Sequence, residues 1–306
     1  VSSAWHAGFS INVNEVQARC PSVARLQRAL QERLAHRVNV NMYLSPPSST
    51  GFDCHYDVHD VFILQIGGRK RWRVFPPLIE LPLDSQPGAG GDMPDPTIEG
   101  TLGPGDLLYL PRGWCHEASS LGAPSLHLTV GVNVRRWVDL AQKALTALAV
   151  EDVRFRRALP PGYLAAGADA LEPLLRGLLD ALAKRPLAEP ALEALAADLV
   201  ATTSPRVDGR FGRAQGRVEA GSVLERLVPC RVVRKEGHVT FLFPGGSMPV
   251  PARWTAALRH VAASERFVVS NLPGLSLTVQ RRLVERLVEA HVLRVRTPRG
   301  TRGGRS

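Results

Sequence analysis

His55 and Asp57, in the stretch GFDCHYDVHDVFILQIGGRKRWRVF, have the types and spacing of metal ligands. Side chains two apart on a strand share a face, so an imidazole and a carboxylate would project together. A second imidazole from another strand would complete a set of two histidines and one carboxylate. That set occupies one face of Fe(II) and leaves three adjacent positions open for a chelating cosubstrate and O2. The candidate is His116, in GPGDLLYLPRGWCHEAS, behind a strand pattern and a tight turn that would bring the chain back across from His55. The bland alternative is a hydrogen-bonded core histidine at 55 and a loop histidine at 116. Cys54 and Cys115 each precede a proposed ligand, and alternation turns them to the opposite side, so they are not counted as ligands. His59 falls in phase with His55 and Asp57 at the mouth and is left unassigned.

The elements that must hold these residues are short. VNVNMYL, DVFILQI, KRWRVF, DLLYLP and SLHLTVGVNV are β-branched or aromatic runs separated by turn chemistry such as SPPSSTG, LGPGD, PRGW and SLGAP. Many short strands at this spacing predict an all-β barrel or jelly roll. Gly67-Gly68 reads as a two-residue hairpin turn, and Pro76–Gly100 as a long surface loop. Ahead of the strands, Pro21 to His36 has Val23, Leu26, Leu30 and Leu34 at helical spacing.

After Val134 the pattern turns Ala/Leu-rich and helical, which suits a bundle packed on the barrel or a homodimer interface. From about residue 216 the chain reads as strands, helix, turn, helix and strand, the order of a winged helix-turn-helix. Its last helix starts near Ser276 or Thr278 with Val279, Leu283 and Leu287 inward and Arg281, Arg282 and Arg286 outward. Such arginines suit DNA or an ordinary solvated face. The expected domains are 1–134, the barrel with its N-terminal helix; 135–215, helical dimerisation; 216–298, winged helix; and 299–306, a basic disordered tail.

Composition narrows the class. The 306 residues are 44% hydrophobic and 22% charged, which excludes wholesale disorder. No apolar run approaches the ~20 residues of a membrane-spanning helix, and no secretory signal is visible. The four cysteines form no CxxC pair, so a zinc knuckle or thioredoxin-like motif is not expected; they read as reduced thiols of a cytoplasmic protein. The net charge is +10, yet only four of the 38 basic residues are lysines, at 70, 143, 184 and 235. With the Ala, Gly, Pro and Val content this reads as the codon bias of a high-GC bacterium, and a nucleic-acid partner is the lesser reading. The chain opens with Val1 rather than Met, so a missing upstream piece or an alternative start codon is expected.

NVNMYLSPPSSTGFDCHYDVHDVFILQIGGRKRWRVF, LGPGDLLYLPRGWCHEA and SLHLTVGV together resemble the JmjC branch of the cupin oxygenases, in particular its ribosomal-oxygenase group. The resemblance implies a mainly-β double-stranded β-helix (jelly roll), followed by an α-helical dimerisation region and an α+β winged-helix domain. It implies non-haem Fe(II) at His55, Asp57 and His116, with 2-oxoglutarate and O2 as cosubstrates. A cation must then meet the far carboxylate of 2-oxoglutarate, and Lys70, in a chain that otherwise prefers arginine, is the candidate. Asn41 matches a family position that hydrogen-bonds the cosubstrate, and His127 and Thr129 join it there if alternation holds. The implied reaction is a dioxygenase hydroxylation of a protein side chain, releasing succinate and CO2.

The group's targets are ribosomal proteins, at histidine or arginine. Asn41 with Lys70 looks like the histidine-hydroxylating type, since arginine-hydroxylating members tend to carry Arg at the lysine position. Gly131 departs from several histidine hydroxylases, which have Ser there. Other readings are a modifier of a peptide natural-product precursor, a JmjC lysine demethylase, and a non-enzymatic winged-helix DNA regulator.

Overall fold

The computed structural model describes residues 2–49, 51, 53–77, 79–83, 94–203, 218–235 and 238–296. The expected basic tail and part of the expected loop after Pro76 lie outside these residues. The chain divides into two compact units, Val1–Arg135 and Arg136–Ser306.

The first unit opens with α1 (Ser2–His6), β1 (Ile11–Val13) and α2 (Pro21–Leu34). Seven strands follow: β2 (Arg37–Ser45), β3 (Asp60–Gly67), β4 (Lys70–Pro77), β5 (Ile98–Leu102), β6 (Leu107–Leu110), β7 (Trp114–Ser120) and β8 (Ser125–Asn133). One sheet runs β1-β2-β8-β3-β6 and the other β5-β4-β7. All their pairings are antiparallel. This is the jelly-roll arrangement that closes a β structure around an interior.

Alternation along the strands builds rungs across the first sheet. Ser45 faces Ser125, Tyr43 faces His127 and Gln65, Asn41 faces Thr129 and Ile63, and Asn39 faces Gly131 and Val61. On the second sheet Lys70 pairs with Ser120, Trp72 with Ala118 and Val74 with His116. The inner apolar packing is Val61, Ile63, Trp72, Val74 and Leu110. On the other face of β2 and β8, Val38, Val40, Val130 and Val132 pack with Val23 and Leu30 of α2.

Three local readings of the sequence need correction. Gly67 and Gly68 do not close a hairpin, because β3 and β4 belong to different sheets. Gly68 has φ +65°, and a Cβ there would meet the Pro124 carbonyl, so this glycine carries the chain from one sheet to the other against the β7–β8 connection. The expected loop contains a strand, β5, which pairs with β4. In α2, Leu26 and Leu34 point outward and Gln27 and Gln31 are buried. The Gln27 amide donates to the Val38 carbonyl (2.8 Å), Gln31 Oε1 accepts from Val38 N (3.1 Å) and Gln17 Oε1 from Val40 N (3.0 Å). Where β1 stops pairing with β2, glutamine side chains therefore satisfy the strand's open edge.

The second unit contains α3 (Trp137–Glu151), α4 (Tyr163–Ala183) and α5 (Ala188–Thr202). Two three-stranded sheets, β10-β11-β12 and β13-β9-β14, are built from β9 (Val223–Arg226), β10 (Arg231–Lys235), β11 (His238–Phe243), β12 (Gly246–Val250), β13 (Arg266–Val268) and β14 (Leu293–Arg296). They pack with α6 (Thr255–Ala263) and α7 (Leu277–Glu289) around Leu224, Phe241, Leu258, Leu283 and Leu287. Arg282 and Arg286 are exposed, but Arg281 is not wholly outward: its guanidinium donates to the Val218 carbonyl at 3.0 Å. No described helix is long and apolar enough to cross a membrane.

Candidate metal centre

His55, Asp57 and His116 each place a ligand atom within 4.8 Å of the others. The backbone that does this is less regular than a strand. His55 lies in an isolated bridge with His116, closed by His116 N to His55 O (2.8 Å) and His55 N to His116 O (3.2 Å). Asp57 follows in irregular chain before β3 begins, so the shared strand face expected for the pair is not what juxtaposes them. The two imidazole centroids are 4.5 Å apart, and His116 Nε2 is 3.8 Å from Asp57 Oδ2. Each imidazole engages a carbonyl two residues earlier through Nδ1: His55 with Asp53 (2.8 Å), His116 with Trp114 (3.1 Å). That outer hydrogen bond orients each ring and assigns Nε2 as its ligand atom. Burial, and then the neighbouring His55, lower the pKa of His116, favouring the neutral form that can coordinate a cation. Two imidazoles and one carboxylate suit Fe(II).

At the other end of the interior, Lys70 is only 4% exposed. Its Nζ donates to Ser45 Oγ at 3.1 Å and lies 5.8 Å from the Trp72 ring centroid. Among the described residues no carboxylate pairs with it. Burial pushes its pKa down to about 8. His127 stands beside it, stacked on Tyr43 (5.1 Å) and edge-on to Trp72 (5.5 Å). Burial, with the Lys70 charge behind it, pushes the His127 pKa to about 3, so the imidazole is neutral at any ordinary pH. Trp72 Nε1 and His127 Nδ1 are buried without a hydrogen-bond partner. An unpaired buried cation beside two unsatisfied buried ring nitrogens is costly unless an anionic, hydrogen-bonding molecule completes them. A carboxylate of a small dicarboxylate fits that demand. Trp72 spans the gap, 6.1 Å by centroids from His116.

Asn41 and Thr129 sit on the next rung toward the metal ligands. Asn41 is partly committed already: its Oδ1 accepts from Glu15 N at 3.0 Å, and its side chain bonds Tyr43. The structure thus brings Lys70 and His127 together and leaves Asn41 and Thr129 one rung away. Sequence reasoning passed over Tyr43, for which strand phase with Asn41 was the available signal, and read Trp72, in phase with Lys70, as a core residue only; both line the same interior.

A family model described as the JmjC domain matches residues 13–140. The chain is 40% identical over 172 residues to ribosomal oxygenase 1 of Rattus norvegicus, covering 53% of this chain and 29% of that protein. It is 33% identical over 274 residues to a protein of Branchiostoma floridae named bifunctional lysine-specific demethylase and histidyl-hydroxylase NO66, covering 78% of this chain and 42% of that one. The chain spans under a third of the length of the first curated relatives it matches. Its fold is similar to that of YcfD, a ribosomal oxygenase from Escherichia coli solved in complex with cobalt and 2-oxoglutarate. The TM-score there is 0.54 at 22% identity, covering 94% of this chain and 78% of that one.

Proposed function

Residues 13–140 of this chain are a JmjC domain of the ribosomal-oxygenase group, and from that premise we propose that the protein is an Fe(II)- and 2-oxoglutarate-dependent dioxygenase. Its substrate is a ribosomal protein, hydroxylated at the β-carbon of a histidine or arginine, with release of succinate and CO2. The observation that carries the reading is the buried Lys70 ammonium, which lacks a carboxylate among the described residues and lies across Trp72 from the His-Asp-His cluster. A cosubstrate with a carboxylate at one end and a metal-chelating group at the other answers both ends at once.

The chain's own residues would divide the work as follows. His55, Asp57 and His116 would hold the ion on one face. Lys70 would neutralise the distal carboxylate, with Ser45 fixing the ammonium, and Asn41, His127 and Thr129 would line the cosubstrate's path. Neutral His127 can sit beside Lys70 without repelling it and can hydrogen-bond the same carboxylate. The apolar ring of Val61, Ile63, Val74 and Leu110 limits water in the interior. Bound iron supplies O2 activation, and the protein supplies position and dryness.

The finer parts of the reading have separate support. Helix α4 has no buried residue and exposes Leu164, Leu174, Leu175 and Leu179, which supports a homodimer formed through the helical segment. The order from β9 to β14 supports a winged-helix C-terminal domain. The lancelet relative's double name favours lysine demethylation as the second reading.

The test is succinate release from 2-oxoglutarate that requires Fe(II) and disappears in His55→Ala. A gain of one oxygen atom on a ribosomal protein identifies hydroxylation, whereas formaldehyde release identifies demethylation. No 2-oxoglutarate turnover by the Fe(II)-loaded wild-type chain, with ribosomal protein supplied, would overturn both.

A further inference from the structure

Gly131 is buried on the inner face of β8, between Asn39 of β2 and Val61 of β3. Its backbone does not require glycine, because its φ is not left-handed. The space it leaves is what matters. A Cβ there would lie 2.8 Å from Cδ2 and 2.9 Å from Nε2 of His59, and 3.0 Å from Oδ1 of Asn39. The missing side chain is therefore what lets the His59 ring lie against the sheet. Asn39 is oriented in turn, since its Oδ1 accepts from Asn133 Nδ2 at 2.8 Å. His59 is half-buried and makes no hydrogen bond to another described residue. It follows Asp57 of the His-Asp-His cluster by two residues. The rung Asn39–Gly131 is thus at the metal end of the interior, opposite to Lys70.

We propose that His59, seated in the space left by Gly131, is a specificity-determining residue that hydrogen-bonds the substrate side chain, and that with Asn39 it selects an uncharged imidazole or carboxamide. This rests on the oxygenase reading above. The chemistry is complementary: an imidazole offers a donor at one ring nitrogen and an acceptor at the other, and the Asn39 oxygen adds an acceptor. A cationic side chain would need a carboxylate here. Of the two flanking His59 in sequence, Asp57 belongs to the metal cluster. Asp60 is taken by Arg112, through its backbone N (3.1 Å) and guanidinium (3.8 Å), and by the Tyr109 hydroxyl (3.3 Å).

The experiment uses the Fe(II)-loaded full chain and a peptide library with His, Asn, Arg or Lys at the centre. Succinate release and the added oxygen are measured for wild type, His59→Ala, Gly131→Ser and the double variant. Wild type oxidises the His- or Asn-centred peptides. His59→Ala raises their KM about tenfold, as expected for one lost hydrogen bond, with a smaller change in kcat. Gly131→Ser does the same because the added side chain displaces the ring. The double variant is no worse than either single one, since both remove the same contact. Equal KM values in wild type and His59→Ala, additive effects in the double variant, or a preference for Arg- or Lys-centred peptides would each overturn the proposal. So would 2-oxoglutarate turnover with no His- or Asn-centred peptide oxidised. Absence of all wild-type 2-oxoglutarate turnover would instead fall on the oxygenase reading. Retained metal binding by both single variants, followed by Co(II) absorption, separates a lost substrate contact from a lost fold.

Discussion

The barrel interior and helix α4 both leave groups uncovered, and the groups are chemical opposites. Inside the barrel, a buried ammonium and two unsatisfied ring nitrogens stand together beside Tyr43 and Ser45. On α4, leucines face outward and no residue is buried. Unpaired charge in a dry place is relieved by a small anion, whereas exposed apolar surface is relieved by a protein surface. The contrast separates surroundings that suit a small anion from a surface that suits another protein surface.

The sharpest way to break the contrast is at the metal end. His116→Ala removes the buried member of the His-Asp-His cluster, and both Co(II) binding and succinate release are expected to vanish, while the mass measured by light scattering stays as it was. At the other end, Lys70→Met should have two effects of opposite sign. The KM for 2-oxoglutarate should rise by about a hundredfold, in line with a lost charge-assisted bond. The unliganded protein should become more stable by roughly 2 kcal/mol, seen as a higher Tm, because the cost of burying an unpaired cation is gone.

A pH series tests the same group without mutation. The folded pKa of Lys70, about 8, lies below its ordinary 10.5. The unliganded fold therefore binds fewer protons than the unfolded chain in that window, and this group makes its stability rise between pH 8 and 10.5. Cosubstrate affinity should move the other way and weaken above pH 8, as the ammonium loses its proton. Calorimetric unfolding and 2-oxoglutarate titration across pH 7 to 10 would show the two trends crossing or refute them.

Smaller effects belong to the outside. Leu174→Glu with Leu175→Glu should halve the mass measured by light scattering while shifting the Tm of the barrel little. Arg73→Ala, which breaks a part-exposed pair with Glu117 (2.7 Å), should cost less than about 1 kcal/mol in urea unfolding.

Much of the barrel was legible because its strands alternate cleanly: β2, β3, β4 and β8 follow the period-two runs. The turn at Gly67-Gly68 was not, since a two-residue glycine loop serves a hairpin and a sheet crossing equally, and only the partner strands decide. Strand β5 was hidden because Glu99 and Gly100 interrupt any apolar pattern and its residues are mostly exposed. Helix α2 misled for a different reason. Glutamine reads as a surface residue, yet Gln27 and Gln31 turn inward to serve backbone groups that no local pattern reveals. At the His-Asp-His cluster the three residues that come together were readable, but the geometry was not: Asp57 reaches the histidines from irregular chain, outside any strand.

Those glutamines have a further consequence. A β-sheet rim with bare amides invites any extended peptide to zip onto it, whether a substrate segment or a neighbouring barrel. Here the rim of β2 beyond β1 is stoppered by carboxamides from Gln17, Gln27 and Gln31. A polypeptide cannot be recognised by strand addition at that margin unless both α2 and the Val16–Ala18 turn first peel away.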